Sequence, residues 1–316
     1  MPIPHSPNRI PACFLALCFV FLALIPAAAE PYIDFDLSPN KAGQLEPKLS
    51  AGWDWNDSLG GSLGFSSDNS TVYEDRLEGL DASMTTVSQT MAGNVSPIIR
   101  NFDLPLVTGG LGLNLGYEHM NIRETGYFDN NNGTLIRVFF NNARVFQAFK
   151  PGLQLVASSG KRNASWFQSS ITYVPYMAIL FDQDFSAASA EEPAYNTPRT
   201  EKKQNASSVN AFTFRIQGGL HTSFADISLD ATAETARYTY EYLVFGGETR
   251  KEDAQLTDIA GTLAVSSSKI TIAGLQPKLG VTWTRSITES LIEGAEPASE
   301  ETQLRYSFGF TTKKGE

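Results

Sequence analysis

The chain holds three histidines and two cysteines, and His5, Cys13 and Cys18 all fall within its first 20 residues. That leaves His119 and His221 as the imidazoles available for chemistry downstream. His221-Thr222-Ser223 sets a base two residues from a hydroxyl, on one side of any extended segment, which is a minimal arrangement for an activated nucleophile. A lone His-x-Ser is common by chance. Neither His nor Cys recurs at metal-ligand spacing, and Asp and Glu nowhere take the EF-hand pattern, so no metal and no other cofactor is expected. Acidic side chains are abundant instead, with 34 Asp plus Glu against 24 Lys plus Arg.

What positions His221 is the run Asn210 to Ala225. Phe212, Phe214, Ile216, Gly218, Leu220, Thr222 and Phe224 form one set, mostly large and apolar. Thr213, Arg215, Gln217, Gly219, His221 and Ser223, between them, form a set without a large apolar residue. Period-two alternation puts the sets on opposite faces of a strand. The run is more than twice the usual length of about 5–6 residues for a globular strand, and it exceeds the about 9–11 residues that cross a bilayer as a tilted strand. The reading is a transmembrane strand with its apolar face to lipid and its polar face to a lumen.

The N-terminus fits an export signal. Arg9 precedes the apolar run Ala12 to Ile25, and Ala27-Ala28-Ala29 supplies the small residues of a cleavage site, so residues 1–29 read as a signal peptide and Glu30 as the mature start. The apolar run is shorter than the about 20 residues of a spanning helix. Removal leaves 316 − 29 = 287 residues, no cysteine, and a charge of 23 − 34 = −11, because Arg9 departs. Disulfide staples and thiol catalysis are thereby excluded. An acidic exported chain makes a poor nucleic-acid binder, and no nucleic-acid partner is expected.

Residues 30–44, with Pro31 and Pro39, read as a short periplasmic segment before a barrel over 45–312 and a tail over 313–316. Leu49 to Trp55 and Leu59 to Phe65 alternate around the turn Asn56-Asp57-Ser58. Alternation is weak from 68 to 97. Phe102 to Leu106 and Leu111 to Tyr117 flank Thr108-Gly109-Gly110, read as a turn. Leu135 to Phe140 and Val145 to Ala157 read as two strands, with a bend at Pro151-Gly152. Further runs occupy 164–181, 209–225, 227–245, 257–266, 269–286 and 303–312. Tight connections at Ala225-Asp226 and Ser266 to Ser268 alternate with long polar ones at 182–208, 246–256 and 287–302. This is how membrane barrels are built, with short turns inside and long loops outside. The expected fold is all-β: a closed antiparallel up-and-down transmembrane β-barrel of about 12–14 strands.

The last run sets Leu304, Tyr306, Phe308 and Phe310 against Arg305, Ser307 and Gly309. It resembles the C-terminal strand of Gram-negative bacterial outer-membrane β-barrel proteins, the porin-like superfamily, although here Thr311 to Glu316 continue past the aromatic. The resemblance implies outer-membrane lipid as surroundings and recognition by the barrel-assembly machinery. Outer-membrane phospholipase A carries a His-x-Ser pair on a strand of a similar barrel. In this chain the Asn-Gly that follows the motif is replaced by Phe224-Ala225, and His221 and Ser223 face the lumen rather than lipid. An omptin-like protease needs a histidine at the outer rim, and no long loop holds one. The chain is therefore not expected to be an enzyme.

Lumen-lining candidates are Arg215, Gln217, His221, Asp230 and Glu234. A turn at Ala225-Asp226 would pair His221 with Asp230 and Gln217 with Glu234. His119 shares the apolar parity of Leu111 to Tyr117, an interface position. Glu289, Glu293, Glu296, Glu300 and Glu301 are acidic outer-loop candidates, a solvated surface or a negative vestibule. The functional expectation is passive passage of small solutes. The alternatives are a non-conducting barrel whose acidic loops bind a host or envelope partner, and an apolar-solute transporter. Oligomerisation stays open.

Overall fold

The computed structural model describes residues 31–39, 45–56, 59–76, 80–131, 135–160, 165–243, 247–267, 269–292 and 298–312. The expected signal peptide and the tail after residue 312 lie outside them. Among the described residues twelve strands run in order: β1 (Pro31–Pro39), β2 (Leu45–Asn56), β3 (Leu59–Arg76), β4 (Leu80–Leu104), β5 (Val107–Asn131) and β6 (Leu135–Gly160). They continue as β7 (Ser165–Ser189), β8 (Thr197–His221), β9 (Ala225–Leu243), β10 (Thr249–Ser267), β11 (Leu275–Ser290) and β12 (Ser299–Thr312). Each pairs antiparallel with its neighbours in sequence, and β1 pairs with β12, so the sheet closes as an up-and-down barrel.

Residues paired across a ladder share a face, so the alternation of each strand propagates around the wall. Outward positions carry exposed Leu113 and Leu115, Leu153 and Leu155, Phe212 and Phe214, Ile227 and Leu229, Leu279 and Val281, and Leu304, Tyr306 and Phe308. The predicted C-terminal signal thus lies on the outer surface, with Phe310 on the same parity opposite Phe35 of β1.

The wall is uneven. β4 to β8 are 25 or 26 residues long, while β1 has 9 and β12 has 14. At about 3.3 Å per residue the longest exceed about 80 Å of strand, far more than an apolar band about 25 Å tall requires. The barrel therefore has a low side at the meeting of its termini and a tall extension opposite.

Several expectations are corrected. Within the expected lead-in, Pro31–Pro39 instead form β1 and complete the ring. Of the weakly patterned 68–97 stretch, residues 68–76 belong to β3 and 80–97 to β4. The turn expected at Thr108 to Gly110 lies at Pro105-Leu106, where proline cannot donate to a ladder. The glycines serve packing instead: a Cβ on Gly110 would meet Ile98 Cγ2 at 2.7 Å, and one on Gly109 would meet Phe102 Cε2 at 2.8 Å. Residues 135–157 form part of one strand, and the bend expected at Pro151-Gly152 is present as a register shift between Phe149 and Leu153.

The long loop expected at 182–208 is mostly strand. β7 runs to Ser189, a short 3₁₀ turn spans Pro193–Tyr195, and β8 begins at Thr197. Likewise 249–256 belong to β10, while 287–290 and 299–302 belong to β11 and β12. Within 182–208 outward Asp184 pairs with Arg199 while inward Phe185 and Ala187 are buried, so this segment extends the ladders rather than leaving them. At the other end, the tight turn expected at Ser266 to Ser268 is longer, since β11 starts only at Leu275.

Candidate functional site

The barrel interior gathers charged side chains from β5, β6, β8 and β9. That β8 turns its polar set inward is shown by Lys150 of β6. Its Nζ lies 2.5 Å from Glu118 on neighbouring β5 and 3.9 Å from Glu234 on β9. β7 and β8 separate β6 from β9 in the wall, so the second contact is made through the lumen. Below it, Asp230 receives Arg215 Nε at 2.9 Å and Gln217 Nε2 at 3.1 Å. Arg215, Gln217, Asp230 and Glu234 therefore face inward in two adjoining clusters, and His221 shares their parity at the end of β8. Above them Arg144 and Asn142 both donate to Glu124, Asn142 at 2.8 Å.

The expected partners are wrong by two residues in turn position. Thr222 Oγ1 accepts from Ala225 N at 3.0 Å and donates to Ala225 O at 2.6 Å, which closes the turn over Thr222 to Phe224. His221 consequently pairs with Asp226 rather than Asp230, and Gln217 with Asp230 rather than Glu234, which opposes Thr213. The slip is even on each strand, so no side chain changes face. His221 Nδ1 contacts Asp226 Oδ1. Ser223 lies in the turn, and no hydrogen bond joins it to His221. His119 keeps outward parity between Met91 and Gln147.

Of the acidic candidates, Glu293 and Glu296 lie outside the described residues. Glu289 is exposed on β11 opposite Gln255. Glu300 takes both Nε and Nη2 of Arg285, at 2.9 and 3.0 Å, on the outer face. Glu301 turns inward and accepts from Gln303. The acids thus divide between two faces, which strand extension rather than loop structure explains.

Two features escaped the sequence reading. The first is at the closure. β1 and β12 share four register pairs, against fourteen between β11 and β12. Lys278 of β11, Gly309 of β12 and Asp36 of β1 stand abreast, and Lys278 Nζ reaches over the glycine to Asp34 Oδ2 at 2.7 Å and Asp36 Oδ2 at 2.8 Å. Arg305 of β12 likewise reaches past β1 to Glu46 of β2, at 3.0 Å. Lumen-side ion pairs therefore span the shortest ladder. Their only sequence signal is charge at inward parity near both termini.

The second is at the tall end. The β8–β9 ladder shifts register between Val209 and Phe212, where Asn210 has φ 63°, and it ends at Ser207 opposite Thr239. Beyond that the tip of β9 leans inward. Leu243 packs with Ile136, Val138, Phe185 and Ala187, residues of β6 and β7 that it meets only across the inner face of β8. Gln183 of β7, buried, accepts from Leu243 N at 2.6 Å and donates to Leu243 O at 3.1 Å. Phe146, Phe181 and Tyr240 cluster beneath, with ring centroids 4.8 to 5.7 Å apart. Lys202 ties the hairpin from β8 through Glu241 at 2.7 Å. That hydrogen bond holds the Glu241 carboxyl below its ordinary value. The charged pair is complete above the ordinary carboxylate range and is lost only as pH falls through the lowered value. Below the leaning tip the outward β9 positions at this end, Thr235, Arg237 and Thr239, are all polar.

No protein-family model and no curated protein sequence matches the chain. Among solved structures it is similar to the translocator domain of the autotransporter NalP from Neisseria meningitidis, with TM-score 0.46, 11% identity, and coverage of 95% of this chain and 94% of that one. It is also similar to the β domain of the Bordetella autotransporter BrkA (TM-score 0.40, 10% identity, 90% and 99% covered). For the outer-membrane protease OmpT from Escherichia coli the values are 0.38, 10%, 90% and 93%. A closed ring of antiparallel strands, apolar outside and charged within, is the architecture of a transmembrane β-barrel.

Proposed function

We propose that this chain is an exported outer-membrane barrel that passes small solutes, cations in preference to anions. Its termini and tight turns face the periplasm, and its tall extension faces the exterior. The observation that carries the reading is the interior. Charged side chains occupy successive rungs of a wall whose outer face is apolar, in a barrel larger than the eight strands that side chains can fill. On β9 to β12 one rung sets Glu234 against Asp258, Asp258 against Ser286 and Ser286 against Glu301. Like charges at such close spacing repel one another, and cations entering the lumen relieve that repulsion. The N-terminal apolar run and the aromatic last strand support export and delivery to the barrel-assembly machinery.

Single-channel recording in planar bilayers tests this. Discrete openings with a reversal potential favouring cations are expected, and Lys150→Ala, which removes the arm crossing to Glu234, is expected to raise conductance. A correctly folded barrel that stays silent overturns it. That outcome would favour a non-conducting surface barrel, a second reading supported by the apolar packing of Leu243 and Phe181 within the tall end.

A further inference from the structure

We propose that a cavity at the periplasmic end of the lumen wall binds a neutral saccharide. The cavity, about 430 Å³, lies among β4 to β7 and falls within the about 300–1,000 Å³ range of small-molecule sites. Asn101, Asp103, Thr108, Ser158 and Gln168 of its lining are lumen-facing by register, whereas Ser159 stands abreast of outward-facing Phe167 at the rim. Gln168 stands abreast of Gln217, which binds Asp230, and the rung continues through Ser158 and Thr108 to Asp103. Asn101 lies on a neighbouring rung, opposite Gly110.

Its apolar floor depends on glycines. Trp166 of β7 faces Gly219 of β8, and a Cβ there would meet indole Cε2 at 2.9 Å, so only glycine lets the ring rest against the wall. Ile98 occupies the equivalent space over Gly110. The result is an indole at the inner wall beside amides and hydroxyls.

The lining selects by chemistry. It contains no Lys, Arg or His and one carboxylate, Asp103, so a phosphate or carboxylate would enter without a counter-charge. A hydrocarbon would cover the amides of Asn101 and Gln168 without replacing their hydrogen bonds to water. A sugar ring has an apolar C–H face for the indole and a rim of hydroxyls for the amide and hydroxyl side chains. Such a site would be a stopping point on the permeation path, a role that rests on the conduit reading; binding itself does not.

The experiment is a titration of the full-length barrel, folded in detergent, with maltose, following tryptophan fluorescence. A saturable change at about 1–10 mM is expected, abolished in Trp166→Phe and shifted about tenfold weaker in Gln168→Ala. Glucose 6-phosphate should bind about tenfold more weakly than glucose. Folding of each variant is confirmed by its shifted mobility before and after boiling in SDS. The proposal is overturned if maltose and glucose give no saturable change, if the change survives Trp166→Phe, or if the phosphorylated sugar binds as well as glucose. A barrel that binds maltose yet never conducts overturns the conduit and keeps the site.

Discussion

Gly309→Val is expected to prevent the barrel from closing. A Cβ at Gly309 would overlap the carbonyl oxygen of Phe35 and stand 2.6 Å from Asp36 Oδ1. Both belong to β1, the strand that β12 must join through four register pairs. A backbone clash at the shortest ladder has no flexible side chain to absorb it, and the added methyls would obstruct the passage of Lys278 toward Asp34 and Asp36. The measured quantity is the fraction of protein that migrates as the compact, SDS-resistant form without boiling. It should fall at least about tenfold, which corresponds to about 1.4 kcal/mol or more. Wild-type yield and mobility for Gly309→Val would refute this.

Lys278→Met separates closure from its ionic support. The Oδ1 atoms of Asp34 and Asp36 are buried and accept no hydrogen bond, so the lysine is the cation that makes the pair tolerable. Its loss should cost toward the lower end of about 3–5 kcal/mol, because both aspartates retain some water contact. The variant should close and then lose its SDS resistance at a lower temperature than the wild type.

The second large effect is expected from Gln183→Ala. This side chain is nearly inaccessible, at 2% exposure, and satisfies both backbone groups of Leu243 as well as Asn142 Oδ1 at 2.8 Å. Truncation strands two buried backbone groups at about 1–3 kcal/mol each. Water can meet them only if the tip of β9 swings away from β6 and β7. Val138, with no exposed surface, lies under that tip and reports the motion. Cys13 and Cys18 are the chain's cysteines, so with both replaced by Ser a Val138→Cys thiol is the one target for a maleimide. Its labelling should accelerate at least about tenfold in Gln183→Ala, since each 1.4 kcal/mol is worth a factor of ten. An unchanged rate would mean that Leu243 is held by its apolar contacts alone.

The alternation from Asn210 to Ala225 was enough to assign faces. Arg215, Gln217, Asp230 and Glu234 point inward in the folded barrel even though their partners differ from those a turn at Ala225-Asp226 implies. Parity survives any even slip of register, which is why faces were readable and partners were not. The same limit explains the long segments after Asp182 and Ile287. Their polarity resembles loops, yet their outward charges pair across ladders, Arg199 with Asp184 at 2.7 Å and Arg285 with Glu300 at 2.9 Å. Composition cannot tell a solvated loop from a strand that stands above the apolar girdle, because both meet water.

By itself, then, the amino-acid order determined the all-β class, the inner and outer faces, the bend at Pro151-Gly152 and an interior with charge to arrange. These follow from local rules, the two-residue period of a strand and the conformational limits of proline and glycine. Only the tertiary structure decided that Pro31–Pro39 closes the ring, that Lys150 reaches Glu234 across the lumen, that Lys278 spans the seam, and that Leu243 turns in upon Val138. Each joins residues far apart in the chain whose proximity arises only when the sheet curls and closes, so no window of sequence contains it.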